Sequence, residues 1–140
     1  MKQKASAVWQ GSLKEGSGHL STGSGALTRQ PYSFKTRFEG EAGTNPEELI
    51  GAAHAGCFSM AFSMILGNAG FTPTKIETTA DVSLESKDGG FAITTCHLDM
   101  TATIPGIDDA TFQDLAQQAK DGCPVSKLLN ATITMDAKLK

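Results

Sequence analysis

Residues 49 to 71 read LIGAAHAGCFSMAFSMILGNAGF, a long uncharged stretch flanked on both sides by segments in which apolar and polar residues alternate. Alternation with period two predicts strands. In YSFKTRFE (32–39), Phe34, Thr36 and Phe38 share one face, and Lys35, Arg37 and Glu39 the other. AVW near residue 8 predicts an earlier strand, and GSLKEGSGH between the two is turn material. A helix is predicted from about Thr44 to about Gly67. TNPE supplies a cap at Thr44 or Asn45, Pro46 in the first turn, and Glu47 and Glu48 at the positive end of the dipole. Two long strands follow. In IETTADVSLE, Ile76, Thr78, Ala80, Val82 and Leu84 alternate with polar residues, KDGG (87–90) makes a hairpin turn, and FAITTCHLDMTATI returns. A second helix is predicted from Asp108 through DATFQDLAQQAK, then a turn and short helix in GCPVSKLL, and a last strand in ATITMDAKL.

Strands, long helix, hairpin, helix and strand make an α+β fold with mostly antiparallel sheet and a long buried central helix. The 140 residues suit a single domain spanning 1–140. The long helix is apolar nearly all round, and its small residues (Gly51, Ala52, Ala53, Ala55, Gly56, Ser59, Ala61, Ser63) permit close backbone approach. One shorter helix and one sheet do not cover every side of it, so a homodimer in which two such helices pack together is expected. The segment is long enough to cross a membrane, but its Gly, Ala, Ser and His54 content and its strand-like flanks favour the buried helix of a soluble protein.

Charge narrows the function. The net charge is −3 with acids and bases interspersed, so neither a nucleic-acid surface nor an acidic tail is expected. No apolar run follows the positive N-terminal residues, so no secretory signal is expected. Three cysteines, Cys57, Cys96 and Cys123, without that signal, point to a reducing compartment rather than a disulfide framework. Neither C-x-x-C nor H-x-x-x-H occurs, and no metal site is expected.

The cysteines differ in context. Cys96 shares a strand face with Ala92, Leu98, Met100, Ala102 and Ile104 and reads as a small core residue. Cys57 lies about ten residues inside the long helix, beyond the reach of its dipole. It is either an inert buried thiol or a reactive one activated by a cation. His54, three residues earlier on the same side, is either an assistant to Cys57 or a packed core histidine. His19 and His97 have no informative context. Of the two arginines, Arg37 is the better candidate cation, because its strand leads directly into the helix; an ordinary solvated strand arginine is the alternative. Cys123 precedes Pro124, so it is either a thiol activated near a short helix's N-cap or a plain turn residue. Two such thiols meeting in space would suit peroxide reduction, in which a sulfenic acid on one condenses with the other.

The stretches TRFEGEAGTNPEELIGAAHAGCFSMA, FTPTKIETTADVSLE, PGIDDATFQDLAQQAKDGCPVS and ATITMDAKL resemble the osmotically inducible protein C family (OsmC and the related organic hydroperoxide resistance proteins), in its OsmC branch. The resemblance covers essentially the whole chain. It implies an intertwined homodimer with two central helices wrapped by sheets from both subunits, and a cytoplasmic thiol peroxidase that prefers organic hydroperoxides. Cys57 matches the peroxidatic cysteine, Cys123 the resolving one, Arg37 the activating arginine, and Glu47 the glutamate that orients it. No metal, haem or flavin cofactor is implied; the electrons come from an external dithiol, of lipoyl type in one branch. Glu47 and Cys57 lie about 15 Å apart along one helix, so Glu47 would act through an intermediary or from the partner subunit. Phe58, Met60 and Met64 are candidates for contact with an alkyl or aryl tail. Two rivals remain: a hydrolase or acyltransferase with Cys57 as nucleophile and His54 or His97 as base, and a non-catalytic dimer that binds apolar ligands.

Overall fold

The computed structural model describes all residues from Met1 to Lys140. The chain forms two units, Met1–Leu49 and Ile50–Lys140.

In the first unit, β1 (Ala5–Gln10), β2 (Ser17–Thr22) and β3 (Gln30–Ser33) form an antiparallel sheet in the order β1-β2-β3. The strand expected over 32–39 stops at Ser33. Residues 34–38 instead form a short helix, α1 (Phe34–Phe38). The alternation of Phe34, Thr36 and Phe38 is overridden by a local capping box. Ser33 Oγ accepts from the Thr36 N–H at 3.2 Å, and Thr36 Oγ1 accepts from the Ser33 N–H at 2.9 Å. Reciprocal bonds of this kind satisfy two donors that a helix start otherwise leaves open. Arg37 therefore stands on a helix, not a strand. Part of the expected turn 11–19 is also strand, since Ser17, Gly18 and His19 begin β2.

The long helix is α2 (Pro46–Asn68), within a residue or two of its expected bounds. Asn45 is its cap, with Oδ1 accepting from the Glu48 N–H at 2.8 Å. In the second unit, β4 (Lys75–Lys87) and β5 (Gly90–Thr103) form the expected hairpin, and Asp88 (φ 53°) and Gly89 (φ 79°) make the left-handed turn between them. Helix α3 (Asp109–Gly122) is capped by Asp108, whose carboxylate accepts from the Thr111 N–H at 2.9 Å. This bond holds the Asp108 carboxyl below its ordinary range. Then come α4 (Pro124–Leu128) and β6 (Thr132–Leu139). β6 pairs with β5 in parallel, the one parallel pair among otherwise antiparallel strands. The crossover that a parallel pair requires is supplied by α3 and α4.

The core of this unit lies between helices and sheet. Phe58, Phe62 and Leu66 of α2 meet Leu98, Met100 and Ala102 of β5, and Phe112, Leu115, Ala116 and Ala119 of α3. Phe62 stacks on Phe58 with ring centres 6.0 Å apart and takes the edge of Phe112 at 5.8 Å. At Gly51 the helix passes so close to β4 that a Cβ would stand 3.0 Å from the Ala80 carbonyl oxygen. The buried residues of α2 are Gly51, His54, Phe58, Phe62 and Leu66, a single stripe at helical spacing. The opposite face, with Ala52, Ala53, Gly56, Met60, Ser63 and Met64, is exposed. The helix is long and apolar enough to span a membrane by length and composition, but it carries a buried polar residue, His54, on the stripe that packs inside this unit.

Candidate active site

The first unit brings Arg37 and Glu47 together. Arg37 lies on α1, and Glu47 on the first turn of α2. Nη2 donates to Oε1 at 2.7 Å, and Nε lies 3.2 Å from each carboxylate oxygen. The Glu47 side chain is only 12% exposed, so the pair is partly shielded from solvent and aligned by more than one bond. The guanidinium also sits 5.3 Å from the centre of the Phe38 ring. Glu47 grips the Nε and Nη2 side of the fork, which leaves Nη1 available to another acceptor. Beside Arg37, Trp9, Leu13, Tyr32, Phe34 and Phe38 line an apolar cavity of about 290 Å³.

The second unit brings Cys57 and Cys123 together. Cys57 is partly buried on α2, Cys123 is fully buried at the start of α4, and both are free thiols. Cys123 and the backbone N–H of Val125 are the neighbours that act on the Cys57 thiol. Burial pushes the Cys57 thiol above its ordinary pKa. The Val125 N–H opposes this by stabilising the thiolate, and the neighbouring Cys123 sulfur adds to the rise because two thiolates in contact repel. Within this unit, then, Cys57 has one anion-stabilising donor and no cation.

His54 does not serve Cys57. It is fully buried and packed, with Nδ1 2.9 Å from the Cys96 sulfur and Nε2 2.7 Å from Ser126 Oγ. Burial lowers its pKa and keeps it neutral. Both ring nitrogens are occupied, so it is not placed as a base for a Cys57 hydrolase. His97, the other base of that reading, is held on the sheet by Thr134 and Asp136. Cys96 is buried as expected but is more than packing, since it is one partner of His54; burial raises its thiol pKa, and the charge of Asp81 adds to this.

Phe58 is not available to a substrate tail, because it is fully buried in the core; Met60 and Met64 are well exposed. The sequence offered no signal for the Val125 donor, which is a backbone group, or for the Trp9, Leu13 and Tyr32 side of the cavity, which comes from three separate segments. Ser126 lies in the quoted GCPVS motif, but no local pattern pairs it with a histidine 72 residues away.

The sequence model of the OsmC-like proteins matches residues 38–138. The chain is 62% identical to the peroxiredoxin OsmC of Escherichia coli over 138 residues, which are 99% of this chain and 96% of that protein. The crystal structure of the organic hydroperoxide resistance protein OhrB of Bacillus subtilis superposes with a TM-score of 0.70 at 26% identity, covering 98% of both chains. An OsmC-like protein of unknown function from Vibrio cholerae matches in fold with a TM-score of 0.76 at 15% identity, covering 98% of this chain and 99% of that one. With a match across most of its length, and with free thiols at the two positions that the resemblance singled out, this chain belongs to the OsmC-like protein family.

Proposed function

We propose that this protein is a thiol-dependent peroxidase that reduces organic hydroperoxides, with residues 1–140 acting as one catalytic domain. The observation that carries the proposal is that Cys57 and Cys123, two free thiols far apart in sequence, are neighbours close enough for one to act on the acidity of the other. The relatives named as a peroxiredoxin and an organic hydroperoxide resistance protein support the same reading.

In the proposed cycle the Cys57 thiolate attacks the terminal oxygen of ROOH. The O–O bond breaks, the alkoxide takes a proton and leaves as ROH, and Cys57 becomes a sulfenic acid. The Cys123 thiol attacks that sulfur, water leaves, and a Cys57–Cys123 disulfide forms. An external dithiol then reduces the disulfide by exchange and is itself oxidised to a disulfide. Arg37 supplies the positive charge that the thiolate and the peroxide oxygens require, and Glu47 orients its guanidinium. The apolar cavity beside Arg37 suits an alkyl or aryl group better than the hydroxyl of hydrogen peroxide. A dithiol of lipoyl type and a cytoplasmic setting belong to the same proposal.

The working form is a homodimer. The exposed apolar face of α2 carries Met60 and Met64, 76% and 62% exposed, beside small residues that admit a second helix closely.

The test is peroxide consumption with excess dithiothreitol, comparing cumene hydroperoxide with hydrogen peroxide. Fast turnover of the organic peroxide that vanishes in Cys57→Ser is expected. Wild-type protein that consumes neither peroxide while keeping its thiols would overturn the peroxidase reading. Cys123→Ser separates it from a hydrolase, which has no use for that thiol.

A further inference from the structure

The buried His54 bridges three elements. Its Nδ1 meets Cys96 Sγ on β5, and its Nε2 meets Ser126 Oγ on α4. A neutral imidazole has one donor and one acceptor nitrogen, and both thiol and hydroxyl can play either part, so each tautomer satisfies both bonds. The position of the two bonds gives them a use. On α2, His54 is one turn before Cys57. On α4, Ser126 is one turn after Cys123. The two turns are therefore joined by His54 to Ser126, one turn from where Cys57 has Cys123 and the Val125 N–H as neighbours.

Helix α4 is anchored at its start, where Cys123 is buried in the core and its N–H bonds the Ala119 carbonyl at 2.9 Å, and is held less firmly beyond it. It is five residues long and Cys123 offers no side-chain cap; at its ends Lys127 N–H bonds the Cys123 C=O and Leu129 N–H the Val125 C=O. Helices this short do not persist on propensity alone. Val125 packs against the core, and beyond Cys123 it is Ser126 whose side chain bonds α4 to the long helix. The other end of the strut is firm: Cys96 lies fully buried in the central strand of the β4-β5-β6 sheet.

We propose that His54 is a positioning residue that, through Ser126, pins α4 on α2 and so keeps the Cys123 sulfur beside Cys57 for disulfide formation. The inference deepens the peroxidase reading and rests on it for its catalytic meaning. It assigns His54 to the resolving step, not to peroxide attack. Without the strut, α4 rocks away, the sulfenic acid on Cys57 waits longer for Cys123, and a second peroxide molecule has time to oxidise it to a sulfinic acid, releasing a second ROH.

The test uses Ser126→Ala, at a partly exposed position, with Ser126→Thr as the variant that keeps the hydroxyl. Near-ultraviolet circular dichroism confirms native packing of each. In single turnover with cumene hydroperoxide, the rate of peroxide loss is expected to stay within twofold of wild type. Dimedone-trapped sulfenic acid should persist at least tenfold longer in Ser126→Ala, sulfinic acid should accumulate when the peroxide is then raised to excess, and Ser126→Thr should restore the wild-type rate. Diamide, which joins two thiols into a disulfide as it is reduced to a hydrazine, reads the same proximity without peroxide. It should close Cys57–Cys123 about tenfold more slowly in Ser126→Ala. If Ser126→Ala does not fold, Cys96→Ser, which keeps a partner for Nδ1, and Cys96→Ala, which removes it, repeat the comparison from the other end of the strut. Disulfide formation at the wild-type rate in Ser126→Ala, or in Cys96→Ala where that is the variant used, by both oxidants overturns the inference. A wild type that consumes no peroxide overturns the peroxidase reading instead, and the diamide rates still decide whether the strut positions Cys123.

Discussion

The Arg37 guanidinium is clamped by Glu47 through Nε and Nη2, the shortest bond being 2.7 Å, while Nη1 stays open. The clamp fixes the orientation of a side chain that otherwise has many rotamers, and it keeps the charge at one place. If this charge serves Cys57, removing it should act on both rate and thiol acidity. Arg37→Ala is expected to slow consumption of cumene hydroperoxide by about 10²–10³-fold, the usual loss when one preorganised donor to a developing anion is deleted. Glu47→Gln keeps an acceptor but loses the charge and is expected to cost roughly tenfold, the difference between a charged and a neutral hydrogen bond. Stopped-flow assays check both, and a near-normal rate in Arg37→Ala removes Arg37 from the mechanism.

The Cys57 thiol supplies an independent measure. Burial and the neighbouring Cys123 push its pKa up from the ordinary 9.0, against the pull of the Val125 N–H. In Arg37→Ala, the pH at which iodoacetamide modification of Cys57 reaches half its maximal rate should therefore lie above that ordinary value. If Arg37 serves Cys57 in the assembled protein, the wild-type midpoint should lie below that of Arg37→Ala. Equal midpoints would mean that the activating charge comes from elsewhere.

The exposed face of α2 makes a prediction about assembly. Met60→Glu places a charge where the proposed homodimer buries a methionine, and an uncompensated buried charge is strongly destabilising. Analytical ultracentrifugation at micromolar concentration should show wild type as a dimer and Met60→Glu shifted toward monomer. A monomeric wild type would leave this apolar face without its proposed occupant.

Packing in the second unit can be read from single substitutions. Phe62→Ala removes a fully buried ring from between Phe58 and Phe112 and should cost about 3–5 kcal/mol in urea unfolding. Gly51→Ala drives a methyl to 3.0 Å from the Ala80 carbonyl oxygen. Overpacking of that kind costs about 1–3 kcal/mol, against roughly 1 kcal/mol gained in helix propensity, so net destabilisation is expected. Gly122→Ala on α3 meets open space and should stabilise by up to about 1 kcal/mol.

The His54 environment sets a pH dependence. Burial depresses its folded pKa below the ordinary 6.5, so the unfolded chain takes up the proton more readily. The stability that neutral His54 contributes is therefore complete above 6.5 and is lost as pH falls from there through the folded pKa. Urea midpoints measured from pH 7.5 down to pH 5 should fall less steeply in His54→Gln than in wild type. Parallel slopes would show that His54 does not carry this proton linkage.

Local rules determined much of this protein. Period-two alternation and KDGG set the β4–β5 hairpin, the Asn45-Pro46-Glu47 start placed α2, and Asp108 placed α3, because each depends on neighbours within a few residues. The same local reasoning failed at Phe34–Phe38, where alternation competed with the Ser33–Thr36 capping box and lost. The resemblance named Cys57, Cys123, Arg37 and Glu47, but spacing alone left the cysteines open between packing and chemistry. The tertiary structure decided what depends on contacts across long separations: the parallel seat of β6 on β5, the meeting of Cys57 with Cys123 and the Val125 N–H, and the engagement of His54 with partners 42 and 72 residues away. Such pairings follow from how helix and sheet surfaces fit together, and no stretch of neighbouring residues encodes that fit.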